Sequence, residues 1–272
     1  MATAKDIHVA PISAKDAAAL VKRVHYSGKV VQNSQLHLGV FLDGRLEGAM
    51  QFGPSLDKRK IQGLVKETGW NDFIELNRMA FSDKLPRNSE SRALSIAFRL
   101  IRKNYPHIEW VVSFADGAQC GDGTIYRASG FLLTGIKTNN SLWIAPTGDI
   151  FPETSLRPGI GGAKQIEKAK AIIRTTMIKG KHIVGGGSTM RPFIDAGFKP
   201  IPGFQLRYIY FTNPKARERL AVPVLPFSKI EEMGASMYRG EKITRVKKQE
   251  SEFPSELGGA VPTDTLQNIK AA

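Results

Sequence analysis

The stretch that most restricts how this chain can fold is Trp110 to Phe131, WVVSFADGAQCGDGTIYRASGF. Trp110, Val111, Val112, Phe114 and Ala115 form an apolar run without alternation, the pattern of a strand covered on both faces. Asp116 closes that run. Three glycines fall between Gly117 and Gly123, and Thr124 is placed to cap a short helix that carries Tyr126 and stops at Gly130. The stretch therefore predicts a carboxylate and a phenol delivered to the same rim of a sheet, where α/β sheets bind ligands.

The elements before it follow from spacing. Ser13 is an N-cap with Asp16 three residues on, and Ala17, Leu20, Val21 and Val24 recur at helical intervals, so a helix is expected over Ser13–Val24 and an end at Gly28. His25 and Tyr26 lie at its carboxyl end, where an imidazole beside a phenol is either a packed cap or an acid or base. Asp43-Gly44 between Leu36–Phe41 and Leu46–Phe52 signals a tight hairpin. Asp57 to Gly69 reads as a charged loop. Phe73–Phe81 returns to strand character with Glu75, Asn77 and Arg78, which implies a wet or ligand-lined face. Asn88 or Ser89 then caps a helix whose Leu94, Ile96, Ala97, Leu100 and Ile101 face inward. Arg87, Asn88, Ser89 and Ser91 at that start meet free N–H groups and a positive dipole end, which suits a phosphate as well as an ordinary capped helix.

Beyond the central stretch, Asn139-Asn140 between Phe131–Thr138 and Ser141–Pro146 predicts a second hairpin. A helix over Ala163–Ile178 carries Lys164, Lys168, Lys170 and Arg174, a face for DNA or for solvent. The glycine run Gly185–Gly187 lacks the spacing of a nucleotide-binding loop. Gln205–Thr212 is a strand whose Arg207, Tyr208 and Tyr210 either stack on bases or pack inward. From 241 to 272 the chain is polar and without periodicity, which predicts a mobile tail.

Composition narrows the class of partner. The 272 residues, 42% of them hydrophobic, support a real core, and 39 Lys and Arg against 25 Asp and Glu give a net charge of +14. Coulomb attraction and counterion release then favour a polyanion, nucleic acid first. The single cysteine, Cys120, excludes an internal disulfide and a multi-cysteine zinc site. No stretch reaches the length of a membrane span, and the first residues lack signal-peptide order, so the expected compartment is the cytoplasm.

The order helix, hairpin, polar strand, helix with an anion-suited start, buried strand and helix ending ASGF resembles the GNAT acetyltransferase fold. That resemblance implies a mixed, mostly antiparallel α/β sheet flanked by helices, in one domain over 1–240 with a helical insertion at about 147–203. It also implies acetyl-CoA or a related acyl-CoA held at Arg78, Arg87, Asn88, Ser89, Ser91 and Arg92, with Glu90 where the family carries a glycine. More specifically, HYSGK at 25–29, ELNRMAF at 75–81, RNSESRALS at 87–95, the AD…GTIYRASGF segment and RYIYF at 207–211 are similar to the phage Mom proteins. Those are GNAT-like enzymes that convert adenine N6 in DNA to a carbamoylmethyl derivative and protect phage DNA from host restriction. The resemblance implies functional roles for His25, Tyr26, Arg78, Ser91, Asp116 and Tyr126. It implies duplex DNA with a flipped adenine as partner, on Lys164, Lys168, Arg174, Arg207, Tyr208 and Tyr210, and it leaves oligomeric state open, a homodimer included. Iron enters the same way, with His25 and Asp116 as its ligands. Two alternatives stand beside this reading: an ordinary acyl-CoA-dependent N-acetyltransferase, and a non-enzymatic basic DNA-binding phage protein.

Overall fold

The computed structural model describes residues 2–25, 28–116, 123–156, 163–176, 190–234, 237–238 and 241–242. Strand β1 (His8–Pro11) leads into helix α1 (Ala14–Val24), where Ser13 Oγ accepts the Asp16 N–H at 3.0 Å as its cap. The helix ends at Val24 with His25 as C-cap, three residues before the expected stop at Gly28. Strands β2 (Leu36–Leu42) and β3 (Arg45–Gly53) form the expected hairpin. Asp43 and Gly44 both take positive φ, 49° and 72°, as a turn matched to the strand twist requires.

The connection that follows is not all loop. Helix α2 (Lys58–Gln62) forms there because Ile61 finds a buried place beside Leu64 and Val65, so one apolar side chain orders a charged segment. Strand β4 (Phe73–Phe81) and helix α3 (Ser89–Asn104) match the expected elements. The cap of α3 differs, because Asn88 is left-handed at φ 69° and its side chain makes no capping bond. Leu94, Phe98 and Ile101 of α3 are almost wholly buried, each worth about 1.5–3 kcal/mol of burial.

Strand β5 (Trp110–Asp116) is followed by the single-turn helix α4 (Thr124–Ala128), whose N-cap is Gly123 at φ 70° rather than Thr124. The turn that joins them lies outside the described residues, Cys120 included. Strand β6 (Leu132–Ile144) runs unbroken through Asn139 and Asn140, where the sequence predicts a hairpin. Its partner β8 (Lys199–Phe211) is equally long; Asn139 pairs with Gly203, and the one surplus residue of Asn140-Ser141 is absorbed as a register shift before Leu142 pairs with Ile201. Strand β7 (Ile150–Pro152) and helices α5 (Glu153–Leu156), α6 (Ala163–Thr176) and α7 (Arg191–Asp195) occupy the insertion. There Phe151, Leu156, Ala169, Ile173, Phe193 and Phe198 build a second, smaller core. Helix α8 (Ser228–Glu232) seats Ile230 in the main core, and β9 (Met237–Tyr238) pairs with β10 (Glu241–Lys242) at the start of the predicted tail.

The strand order is β1-β2-β3-β4-β5-β8-β6-β7, mixed but mostly antiparallel. Of the pairings within this sheet only β4 with β5 is parallel. Alternation gives the sheet two distinct faces. Val111, Ala115, Leu206 and Tyr208 pack under α3, while Trp110, Val112 and Ile209 pack on the opposite face. Helix α1 covers Ala49 on that second face. No helix among the described residues is long and apolar enough to cross a membrane.

Gly123 joins the rim of β5 to α4. A Cβ there would lie 2.0 Å from the Tyr208 hydroxyl, and Tyr208 is 0% exposed, so the ring has nowhere to go. Gly123→Ala should destabilise the protein by about 2–4 kcal/mol, the sum of a left-handed alanine and an overpacked core, read as a shift in the urea midpoint.

Candidate active site

Strands β4 and β5 pair through only three rungs, Phe73 with Trp110, Ile74 with Val111 and Glu75 with Val112. Beyond Glu75 the outer edge of β4 follows β3, and beyond Val112 the outer edge of β5 follows β8. A fork opens between them.

At its root Ser113 Oγ lies 3.3 Å from the Leu76 carbonyl and 3.0 Å from the Tyr126 hydroxyl. A carbonyl only accepts, so Ser113 gives its single proton to Leu76 and takes the phenol proton of Tyr126. Tyr126 is held as a donor aimed at the fork. Its ring stacks on Tyr208 at 4.4 Å and 4°, and Phe131 meets its edge at 5.1 Å. Ser113 is absent from the predicted site, although a lone hydroxyl inside an otherwise apolar strand is a readable signal.

Asp116 is on the same strand three residues later, so alternation turns it to the other face. The sequence reading brings Asp116 and Tyr126 to one rim, and the register places them at that rim on opposite faces of the sheet. Asp116 heads a rung with Gln205 and Lys137, both exposed.

That second face carries a polar cluster. The register of β4 slips opposite Gln51 and Phe52, so Asn77 is surplus and both it and Arg78 turn toward the side of α1. Arg78 Nη1 lies 3.4 Å from His25 Nε2. The guanidinium can only donate, so Nε2 accepts and the imidazole proton sits on Nδ1. Burial first, and then the Arg78 charge, push the His25 pKa down to about 3, so the ring is neutral at physiological pH. Lys29 is lowered by the same two causes. Glu75 is raised by burial, with hydrogen bonds from Ser55 and Asn77 and the charge of Arg78 opposing. Ser34 Oγ donates to Asn77 Oδ1 at 3.1 Å, which fixes the amide. Glu75 and Lys29 belong to this cluster although the sequence reading gives them no role.

Arg78 is thus on the face opposite α3, not at the anion-suited helix start, which corrects its placement among the cofactor-binding residues. The helix start itself lines a groove of about 360 Å³ with Arg87, Asn88, Glu90, Ser91, Thr124 and Ile125. Ser89 is fully buried with its hydroxyl unpartnered, and exposed Arg92 interacts with Asp6, so neither reaches the groove wall. Groove and fork fit an acyl-CoA in the chemistry of their donors: free helical N–H groups with Arg87 for a diphosphate, and a phenol at the fork for a thiolate.

Iron fits less well. The one His Nε2 at the cluster is taken by a guanidinium, whose fixed charge repels a second cation, and no group of three His, Cys, Asp or Glu able to hold a metal occurs among the described residues. The pairing of His25 with Asp116 as iron ligands is therefore corrected.

Three of the expected DNA contacts change as well. Tyr208 is wholly buried, and Tyr210 stacks on Phe98 at 3.9 Å, so neither ring offers a face to a base. Arg207 is half-buried, and its guanidinium donates to Thr134 Oγ1 at 3.1 Å and to the Thr134 carbonyl at 2.6 Å. Lys168 forms an exposed ion pair with Asp149 at 2.7 Å. The side chains of Lys164 and Arg174, and the whole of Tyr26, lie outside the described residues.

The mixed, mostly antiparallel sheet flanked by helices is the α/β architecture expected from the sequence. The Mom protein family model matches residues 6–229, and the chain belongs to that family. It is 35% identical over 217 residues, 79% of this chain and 80% of the other, to "methylcarbamoylase mom" of Escherichia phage Mu. Among solved structures it is similar to an IAA acetyltransferase from Bacillus cereus at 11% identity and TM-score 0.39, covering 75% of this chain and 99% of that one. A Bacillus subtilis acetyltransferase in complex with CoA matches at 9% identity and TM-score 0.37, covering 74% and 95%.

A depressed histidine pKa has a definite sign in stability. Between about 3 and 6.5 the unfolded chain binds the proton and folded His25 does not, so stability is complete above pH 6.5 and is lost as pH falls through that window. The loss approaches about 1.4 kcal/mol per pH unit. In urea titrations from pH 7 to 5, His25→Gln should show a shallower decline than the parent; parallel curves would mean that folded His25 takes up the proton.

Proposed function

We propose that the protein is a DNA-modifying transferase that converts the N6 amino group of adenine in duplex phage DNA to its carbamoylmethyl derivative, which shields the DNA from host restriction nucleases. Family membership, together with the 35% identity to a methylcarbamoylase, supports the chemistry. The observation that carries the assignment of residues is the fork, with a proton-donating phenol on one face and a polar, partly buried cluster on the other.

Adenine N6 is a weak nucleophile because its lone pair is delocalised into the ring, and in a duplex it is paired. The base must leave the stack, at a cost of a few kcal/mol, and enter a pocket that reads its edge. The face with Glu75, His25, Arg78 and Asp116 is the acceptor side in this reading, and the +14 charge draws in the backbone. Glu75 takes the N6 proton, because a carboxyl raised toward neutrality is a better base than an ordinary one. Neutral His25 presents Nδ1–H as a donor to a ring nitrogen, and Arg78 holds it in that tautomer. Asp116, with Lys137 beside it, orients the base at the mouth of the fork.

The donor side is the α3 face. Arg87, Asn88, Ser91 and the helix N–H groups would hold the diphosphate of an acyl-CoA, which would supply the two carbons; because the carbamoylmethyl group is joined to N6 through its CH2, the reaction also requires a nitrogen donor and a two-electron oxidant as co-substrates. Tyr126, whose phenol Ser113 holds at the fork, would serve as the acid toward a thiolate released there.

Nucleosides from the DNA of expressing cells should contain adenosine heavier by C2H3NO. Only unmodified adenosine would reject this function, and an increment of C2H2O would mean ordinary acetylation. Tyr126→Phe and Glu75→Gln should each lower the modified fraction by about 100-fold or more with the circular dichroism spectrum unchanged. Asp116→Asn should cost less, because it keeps the shape of an orienting group.

A further inference from the structure

A second cavity, of about 800 Å³, opens at the far end of α3 from the groove, where Ile101 meets the first residues of β4. The 16 residues of α3 put these two sites about 24 Å apart. The lining includes Trp70, Tyr105, Phe73, Lys58, Asn71 and Gln35. Trp70 is 52% and Tyr105 43% exposed, and Leu56, 96% exposed, stands between the lining residues Ser55 and Lys58. Of the six exposed large hydrophobic side chains among the described residues, three thus gather at one opening. Aromatic surface of this kind is kept out of solvent unless something uses it.

The polar groups specify what that is. Lys58 Nζ lies 4.7 Å from the centre of the Trp70 ring and 5.6 Å from that of Phe73, and its chain is partly desolvated there. Exposed Arg59 and Lys60 follow on α2, and exposed His107 lies on the rim. The nearby acids are mostly engaged: Asp72 accepts the Gly69 N–H at 2.6 Å and Glu109 pairs with Arg219, which leaves Asp57 and Glu67 against the three cations of α2. The floor is rigid, since Phe73 stacks on buried Trp110 at 4.5 Å and 7°. Lys58 Nζ also donates to Asn71 Oδ1 at 3.4 Å, which leaves the Asn71 amide N–H groups and Gln35 as edge partners. The exposed rings of Trp70 and Tyr105, a run of cations and these carboxamides are together the recognition chemistry of a nucleotide: a ring to stack, a phosphate to neutralise and a base edge to bond.

We propose that this cavity is a second DNA contact that holds one unstacked nucleotide, its base on Trp70 and its phosphate on Lys58 and the α2 turn. DNA as the partner rests on the function proposed above, but the site lies at the opposite end of α3 from the groove and needs no acyl donor. It anchors a strand at a distance of some seven base pairs from the start of α3, at about 3.4 Å per step. Sequence tolerance is expected, because every base has a face to stack.

The full chain should bind a labelled 12-residue oligothymidylate in fluorescence anisotropy, and the oligonucleotide should quench its tryptophan emission, to which buried Trp110 offers little access. Trp70→Ala should weaken binding about tenfold, and Trp70→Phe, which keeps a ring, should restore most of it. Lys58→Gln should reduce the salt slope by about 0.7. Folded Trp70→Ala and Lys58→Gln proteins that bind within twofold of the parent would overturn the proposal, as would a Trp70→Phe variant as weak as the alanine. If cellular DNA carries no modified adenine and yet Trp70→Ala loses oligonucleotide, this site stands and the proposed function fails. If modification is present and Trp70→Ala binds normally, only this site is rejected.

Discussion

Everything at the candidate site depends on a parallel ladder that stops after three rungs. Each strand of the pair has a second neighbour, β3 on one side and β8 on the other, and past Glu75 and Val112 each goes with that neighbour. The inner edges then face each other without pairing, which leaves main-chain donors and acceptors turned into a gap. A buried backbone group without a partner is costly, so such a gap is stable only when side chains or a ligand serve it. Ser113 serves one carbonyl, that of Leu76, and by doing so sets the direction of the Tyr126 proton. One hydroxyl in an apolar strand thereby couples the opening of the sheet to the orientation of its acid.

The fork also divides the chemistry by face. Under α3 the walls are aromatic and aliphatic, with the Tyr126, Tyr208 and Phe131 rings packed on one another. Under α1 they are polar and cationic, with Arg78 close enough to His25 and to Lys29 to add to the burial that lowers the pKa of each. The register of one sheet thus gives its two faces different dielectric surroundings at the same opening.

Much of this was legible in sequence, and what was not has identifiable causes. The hairpin at Asp43-Gly44, strand β4 and helices α1 and α3 follow from local pattern because turn chemistry and periodicity agree there. The second predicted hairpin failed because Asn139-Asn140 is a turn signal only if no long partner is available, and β8 supplies one. Tyr208 and Tyr210 read as a basic-aromatic surface; their alternation with Arg207 and Ile209 says that they share a face, but not which one is buried. Asp116 and Tyr126 fall on opposite faces for a reason of parity that the intervening turn hides. Glu75 was noticed as one of three polar residues in a strand, yet the one-residue slip at Asn77, which gathers Asn77 and Arg78 on its side, depends on the register with β3 and cannot be counted from β4 alone.

Strain is concentrated where α3 begins. Asn88 is held left-handed at φ 69° without a capping bond, and the hydroxyl of Ser89 is buried with no partner. Each departure costs on the order of 1 kcal/mol or more, and a serine one position earlier in extended geometry would have removed both. Stability alone does not explain keeping them. The Ser89 N–H is answered by the Pro86 carbonyl at 3.1 Å, but with no side-chain cap the rest of the first turn and its dipole are left to the groove, where Arg87 adds to the attraction for an anion. Asp83 and Glu90 in the same groove oppose any anion that sits close to them, so the groove selects position as well as charge, and its favourable end is the one at Arg87.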